Sequence, residues 1–253
     1  MTFAPHQYNA RQDLLRDKII MVTGAGDGIG KAAAQCFAAH GATVILSGRT
    51  TKKLEMVYDE IEAAGYPTPA IVPVNLETLD PTEADKIFAA IESEFGRLDG
   101  LLHSAGLLGQ ITPLAGYDPA TWLQVMQVNV NAAFLLTQSL MPLLENSDAA
   151  SVIFTTSSVG RKGRAYWGAY AVSKFATEGL MQTWADELED ISNVRTNCIN
   201  PGGTRTRMRA QAYPAESPSN NPLPEEIMPL YLYLMGDDSR KVNGQSFDAQ
   251  PKH

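Results

Sequence analysis

A chain of 253 residues, 44% of them hydrophobic and 19% charged, carries enough apolar material for one large core or two small ones. Its net charge of −8 argues against general nucleic-acid binding, and no run of about 18 apolar residues is present to form a membrane-spanning helix. The N-terminal stretch MTFAPHQYNARQD lacks the apolar centre of a secretory signal, and Cys36 and Cys198 lie in apolar surroundings that suit buried free thiols, so a cytoplasmic protein with no disulfide framework and no metal site is expected.

From residue 18 onward, strand-like and helix-like segments alternate. KIIMVT (18–23) is a short apolar strand, and the Ala-rich helix IGKAAAQCFAAHG (29–41) stops at Gly41. ATVILSG (42–48) is a β-branched strand, TTKKLEMVYDEIEAAG (50–65) an amphipathic helix, and AIVPVN (70–75) a third strand. A proline opens the helix PTEADKIFAAIESEFG (81–96), and LDGLLHSAG (98–106) is a strand running into a glycine turn. The pattern over 118–145 predicts one long helix, with Asp118 as its N-cap and Pro119 in the first turn. SVIFTTSS (151–158) is a strand, 167–190 a helix and VRTNCIN (194–200) a strand; AYPAESPSNNPLP (212–224) reads as a surface loop. Continuous apolar strands alternating with helices predict a parallel sheet covered on both faces, in a single domain over 1–253 with an N-terminal extension at 1–16.

Between the first strand and the first helix stands TGAGDGIG (23–30). A glycine-rich strand-to-helix turn lets a pyrophosphate approach the backbone, where free N–H groups and the helix dipole favour negative charge; taken alone, the same turn also suits a merely tight bend. The second strand ends in Ser47-Gly48-Arg49-Thr50, with no acidic residue to bind ribose hydroxyls. Arg49 can pair with a 2′-phosphate, helped by Ser47, Thr50 and Lys52 or Lys53, which favours NADP(H) over NAD(H).

Tyr170 and Lys174 are four apart on a helix, so a phenol and an ammonium share a face. Ser157, thirteen residues before Tyr170 (170 − 157), stands at the C-terminal end of a strand, where open α/β sheets bind ligands. Ser158 competes with it, and the spacing favours Ser157. A free phenol has a pKa near ~10. A cation at about 4 Å contributes up to ~4 kcal/mol at an effective dielectric of about 20, so Lys174 could lower the phenol by roughly 3 units. A Ser-His-Asp hydrolase is disfavoured, since TTSSVG is not a G-x-S-x-G elbow and His6, His40, His103 and His253 are poorly placed.

Together TGAGDGIG, Asn129, Ser157, Tyr170-x-x-x-Lys174 and the Pro201-Gly202 turn resemble the short-chain dehydrogenase/reductase family over 17–249, and the flanking stretches look closer still to its bacterial YciK-type branch. The resemblance implies a single-domain Rossmann fold, doubly wound, with about seven parallel strands. It implies Tyr170 as acid/base, Lys174 as its electrostatic partner and a ribose ligand, Ser157 orienting the substrate oxygen, and Asn129 holding a water in a proton relay. Gly24, Gly28 and Gly30 would line the pyrophosphate, with Thr23, Ile29, Ala105 and Gly106 alongside. Asn75 would lie near the adenine, and Pro201, Gly202, Thr204 and Thr206 would flank the nicotinamide end. His103-Ser104-Ala105-Gly106 departs from the family's usual Asn-Asn-Ala-Gly, and His103 is expected to be structural.

The resemblance also implies a substrate loop at 207–224, short here and poor in apolar residues, and helix faces suited to a homodimer or homotetramer. Six cations (Arg161, Lys162, Arg164, Arg205, Arg207 and Arg209) are expected near the mouth and would suit an anionic substrate, while Tyr166 and Trp167 would wall the pocket. The expected activity is NADP(H)-dependent hydride transfer between the nicotinamide and a small-molecule carbonyl/secondary-alcohol substrate, the short loop leaving an open site suited to a bulky or partly exposed one. A 3-oxoacyl-thioester reductase and a non-catalytic NADP(H)-binding sensor or scaffold are the alternatives.

Overall fold

The computed structural model describes residues 5–251; His253 of the sequence expectations lies outside them. Seven strands form one sheet in the order β3-β2-β1-β4-β5-β6-β7, every neighbouring pair parallel. They are β1 (Ile19–Thr23), β2 (Thr43–Gly48), β3 (Ala70–Pro73), β4 (Gly100–His103), β5 (Ser151–Thr155), β6 (Arg195–Asn200) and β7 (Ser246–Asp248). The first six fall within the segments expected from the sequence. The seventh, expected only from the family resemblance, is a three-residue edge strand with no apolar run of its own.

Successive residues of the central strands point to opposite faces, and each face has its own core. Ile20 and Val22 of β1, with Val44 and Leu46 of β2, pack in a cluster with Phe37 of α1 (Gly28–Ala39), Leu54 of α2 (Thr51–Ala63) and Leu230 of α8 (Met228–Met235). Ile19, Met21 and Ile45 face the other way, with Ile91 of α3 (Pro81–Phe95), Leu136 of α5 (Ala132–Glu145) and Met181 of α6 (Gly168–Leu188). α8 is an interior helix: seven of its eight residues are buried, so no amphipathic period marks it in the sequence. Residues 8–16 are not a loose extension. Leu14 and Leu15 are buried, and the Tyr8 hydroxyl donates to Asp238 at 2.7 Å.

The expected long helix over 118–145 is not one regular helix. α4 (Pro119–Met126) starts as the sequence suggests, with Asp118 accepting from the Thr121 N–H at 2.8 Å and Pro119 in the first turn. A π turn over Gln127–Asn131 then leads into α5. A widened turn displaces the residues it contains relative to an α-helical register, and Asn129 sits inside it. The segment 212–224 is the surface loop expected beyond Ala212. Its approach is helical, α7 (Arg207–Ala212), and the loop beyond is tied back where Arg209 Nε and Nη2 each donate to Glu216 at 2.6 Å.

Both cysteines are free thiols, Cys198 buried and Cys36 only partly so. Among the described residues no helix is long and apolar enough to cross a membrane, and no group of three or more His, Cys, Asp or Glu side chains could hold a metal ion.

Candidate active site

Strand order reverses between β1 and β4, and parallel strands that diverge there leave a crevice beyond their C-terminal ends. A cleft of about 620 Å³ opens at this edge. Every residue expected from the sequence to bind a cofactor lines it except Lys52, the alternative to Lys53, and so do Ser157, Tyr170 and Lys174. Ser158 is exposed and outside it, which separates the two serines.

The glycine turn is built for close approach. Gly24 has φ +72°, and a Cβ there would stand 3.0 Å from the Ala105 backbone of the β4 turn. A Cβ on Gly30 would lie 2.3 Å from the Gly24 carbonyl oxygen, so the first turn of α1 can press on the loop only without one. Thr23, buried at the end of β1, ties the two loops together. Its Oγ1 accepts from the N–H groups of Ser104 and Ala105 at 3.1 and 3.2 Å, so the Asn-to-Ser departure at position 104 leaves this junction intact. At the β2 end the Ser47 hydroxyl is buried with no hydrogen-bond partner among the described residues. Arg49 is ion-paired with Glu77, and Lys53 Nζ reaches Asp27 Oδ2 at 2.5 Å.

At the other end of the cleft, β5 delivers Ser157 and α6 delivers Tyr170 and Lys174. Lys174 Nζ donates to the Thr155 carbonyl at 2.7 Å and lies 5.4 Å from the centre of the Tyr170 ring. Burial lowers the Lys174 ammonium to about 8. Burial also raises the Tyr170 phenol to about 12, against a hydrogen bond with Ser157 that pulls it down. The sequence argument that Lys174 alone lowers the phenol therefore does not hold here. Desolvation of the phenol outweighs its hydrogen bond with Ser157, and the Lys174 ammonium is directed at a backbone carbonyl.

Asn129 does not line the cleft. Its Oδ1 accepts from Leu107 N–H at 2.7 Å, and its Nδ2 donates to the Leu107 carbonyl and Ser173 Oγ at 2.9 and 3.0 Å. It borders a separate space of about 10 Å³, shared with Lys174 and Thr155, directly behind the cleft. His103 is structural: its Nε2 lies 2.9 Å from Thr137 Oγ1, its ring stacks on Phe154, and burial lowers it to about 3.

Two of the six cations expected at the mouth are ion-paired, and a third is tied to backbone. Arg161 pairs with Glu178 and Asp248, Arg209 with Glu216, and Arg205 donates to the carbonyls of Pro218 and Asn221. Only Arg207 and Arg209 of the six line the cleft; Arg161 is drawn to carboxylates, Arg205 to backbone carbonyls and Arg164 to the Tyr213 hydroxyl. Trp167 lines the cleft, whereas Tyr166 is exposed and does not. Met208 and Tyr213 join Trp167 in an apolar wall that the sequence did not reveal, since nothing local to 208–213 signals which way α7 faces. Gln250 was likewise missed; its Nε2 donates to the carbonyls of Pro201 and Gly203, both at 2.8 Å, and pins that loop from the far C-terminal segment.

The short chain dehydrogenase family model matches residues 18–217, a span that takes in the glycine turn, Ser157, Tyr170 and Lys174. The chain belongs to this family. Within it, the chain is 55% identical over 244 residues to the uncharacterized oxidoreductase YciK of Escherichia coli (strain K12), covering 96% of each. A short chain dehydrogenase from Pseudomonas syringae has the same fold at a TM-score of 0.95, with 59% identity over 96% of this chain and 99% of that one. A short chain dehydrogenase from Escherichia coli CFT073, solved in complex with NADPH, matches at a TM-score of 0.93 and 55% identity, covering 96% of this chain and all of the other.

Proposed function

We propose that this short chain dehydrogenase is an NADP(H)-dependent oxidoreductase acting on a carbonyl/secondary-alcohol pair, with Tyr170 as its acid/base. The observation that carries this is the meeting of Ser157, Tyr170 and Lys174 at one end of the cleft whose other end is the glycine turn. The chain fits the dinucleotide on its own terms. A turn that excludes Cβ atoms at Gly24 and Gly30, a buried Ser47 hydroxyl and the Arg49 guanidinium suit a pyrophosphate and a phosphorylated ribose. The NADPH carried by the E. coli CFT073 structure supports the same choice.

When bound, the nicotinamide supplies or accepts the hydride. The chain's own residues handle the proton. In reduction, Ser157 Oγ donates a hydrogen bond to the substrate oxygen, and the Tyr170 O–H gives that oxygen its proton as the carbonyl becomes an alcohol. A phenol raised to about 12 is fully protonated near neutrality and is therefore ready as an acid. Oxidation needs the phenolate, so it requires the extra positive charge of an oxidised nicotinamide beside Lys174. The space behind Lys174, bordered by Asn129, is about the size of one water and supports a relay that restores the phenolic proton. The 3-oxoacyl-thioester alternative rested on six cations at the mouth; the ion pairs of Arg161 and Arg209 weaken it, and Arg207 in the cleft lining keeps it open.

The test is NADPH consumption with a panel of ketones and acyl thioesters. Tyr170→Phe should lower turnover by about 10²–10⁴ while NADPH still binds. Equal turnover by the variant would refute Tyr170 as the acid/base, and NADPH binding without turnover on any substrate would refute the enzyme assignment and favour a sensor. A homo-oligomer belongs to the same proposal. Phe134 on α5 and Val172 and Phe175 on α6 are exposed apolar side chains on the expected dimer faces, and light scattering should give a mass that is a multiple of 27.4 kDa.

A further inference from the structure

The adenosine end of the cleft holds two cations and two carboxylates, and they are matched. Arg49, just past β2, pairs with Glu77, just past β3; Lys53, in the first turn of α2, pairs with Asp27 in the glycine turn. All four line the cleft. The pairing follows from the sheet order. β2 lies between β1 and β3, with Ser47 in register with Thr23 and Gly48 with Pro73, so the end of β2 receives one carboxylate from each side. Asp27 stands at the α1 N-cap without a full side-chain cap bond; its carboxylate is held low mainly by Lys53, with the Gly28 N–H and Arg207 adding to this, and Glu77 is anchored through its backbone N–H, which donates to Asn75 Oδ1.

We propose that Glu77 and Asp27 are specificity-determining residues that hold Arg49 and Lys53 as internal ion pairs and so limit the preference for NADP(H) over NAD(H). This rests on the dinucleotide reading of the cleft given above. A 2′-phosphate must draw the two cations off their carboxylates and then sit beside two negative charges. A 2′-hydroxyl displaces neither pair and can donate a hydrogen bond to a carboxylate oxygen. The carboxylates thus tax the phosphorylated cofactor alone. Each pair is more than a quarter exposed on both sides, so the pairs are individually weak and can exchange partners without unfolding anything.

The experiment measures binding, not turnover. Dissociation constants for NADPH and NADH, and for the probes 2′,5′-ADP and 5′-AMP, are determined by calorimetry for the wild type, Glu77→Gln and Asp27→Asn at low salt. Each variant keeps the size and hydrogen-bonding capacity of the side chain while removing its charge. Expected is a tightening of NADPH and 2′,5′-ADP by about five- to tenfold per variant, with NADH and 5′-AMP changing by less than about twofold, and a smaller gain at 0.5 M salt on the order expected for screened charges. If one variant fails to fold, as judged by circular dichroism, the other carries the test. Equal shifts for phosphorylated and unphosphorylated ligands, or no tightening of NADPH, would overturn the inference while leaving the dinucleotide reading in place. A wild type that binds none of the four ligands would overturn both.

Discussion

Lys174→Met should make the ligand-free protein more stable while removing its activity. In the folded chain burial lowers the Lys174 ammonium from 10.5 to about 8. Below pH 8 the folded state must therefore hold a charge it would rather shed, at a cost of about 3–4 kcal/mol at ~1.4 kcal/mol per pH unit between the two values. The unfolded chain binds more protons than the folded one between pH 8 and 10.5, so this lysine's destabilisation is complete below that window and disappears above it. Methionine fills much of the same volume without charge. It forfeits the 2.7 Å bond to the Thr155 carbonyl, worth about 1–2 kcal/mol. The net expectation at pH 7 is a variant more stable by about 1–2 kcal/mol, an advantage that shrinks by about 2 kcal/mol on going to pH 9.5. Urea denaturation of both proteins at the two pH values measures this. Titrating groups that do not feel Lys174 cancel in the difference between wild type and variant; His103 and Cys198, which do, are held well outside this pH window in the folded chain by burial. A stability difference that is the same at both pH values would refute the claim that burial of a charged Lys174 strains the folded state. Cofactor turnover should be lost in the variant at every pH.

Two further outcomes follow from the cleft. Gly30→Ala places a Cβ 2.3 Å from the Gly24 carbonyl oxygen, and because the obstacle is backbone the turn must shift. The expected cost is about 1–3 kcal/mol in urea unfolding, together with a loss of NADPH affinity of at least about tenfold by fluorescence titration; unchanged values of both would show that the turn is slack. Gln250→Ala removes two bonds to the Pro201 and Gly203 carbonyls. It should raise the NADPH dissociation constant about three- to tenfold and lower stability by about 1–2 kcal/mol, and an unchanged dissociation constant would mean the loop is positioned without it.

Much of this protein is decided locally and could be read from the chain. TGAGDGIG must be a strand-to-helix turn because a Cβ at Gly24 or Gly30 would collide with backbone. Tyr170 and Lys174 must share a face because four residues complete about one helical turn. Five of the seven strands announce themselves as mainly apolar runs, since a strand covered on both faces has no polar side to show, whereas β6 (RTNCIN) buries polar side chains instead. What escaped was decided by contacts distant in sequence. β7 is three residues with no pattern, and pairing with β6 makes it a strand. α8 has no amphipathic period because it is buried all round. The π turn that carries Asn129 interrupts a pattern that reads as continuous helix. Cations at the mouth are easily counted in a sequence, but their partners are not: Arg161 meets Asp248 across 87 positions, and Arg49 meets Glu77 only because β2 and β3 are neighbours in the sheet. Even the phenol's acidity belongs to the tertiary level. Spacing puts an ammonium near Tyr170, but the surrounding core determines how much water is left around both, and desolvation is the larger effect. Sequence alone thus settles residue chemistry and local geometry, whereas burial and long-range ion pairing arise only once the sheet has assembled.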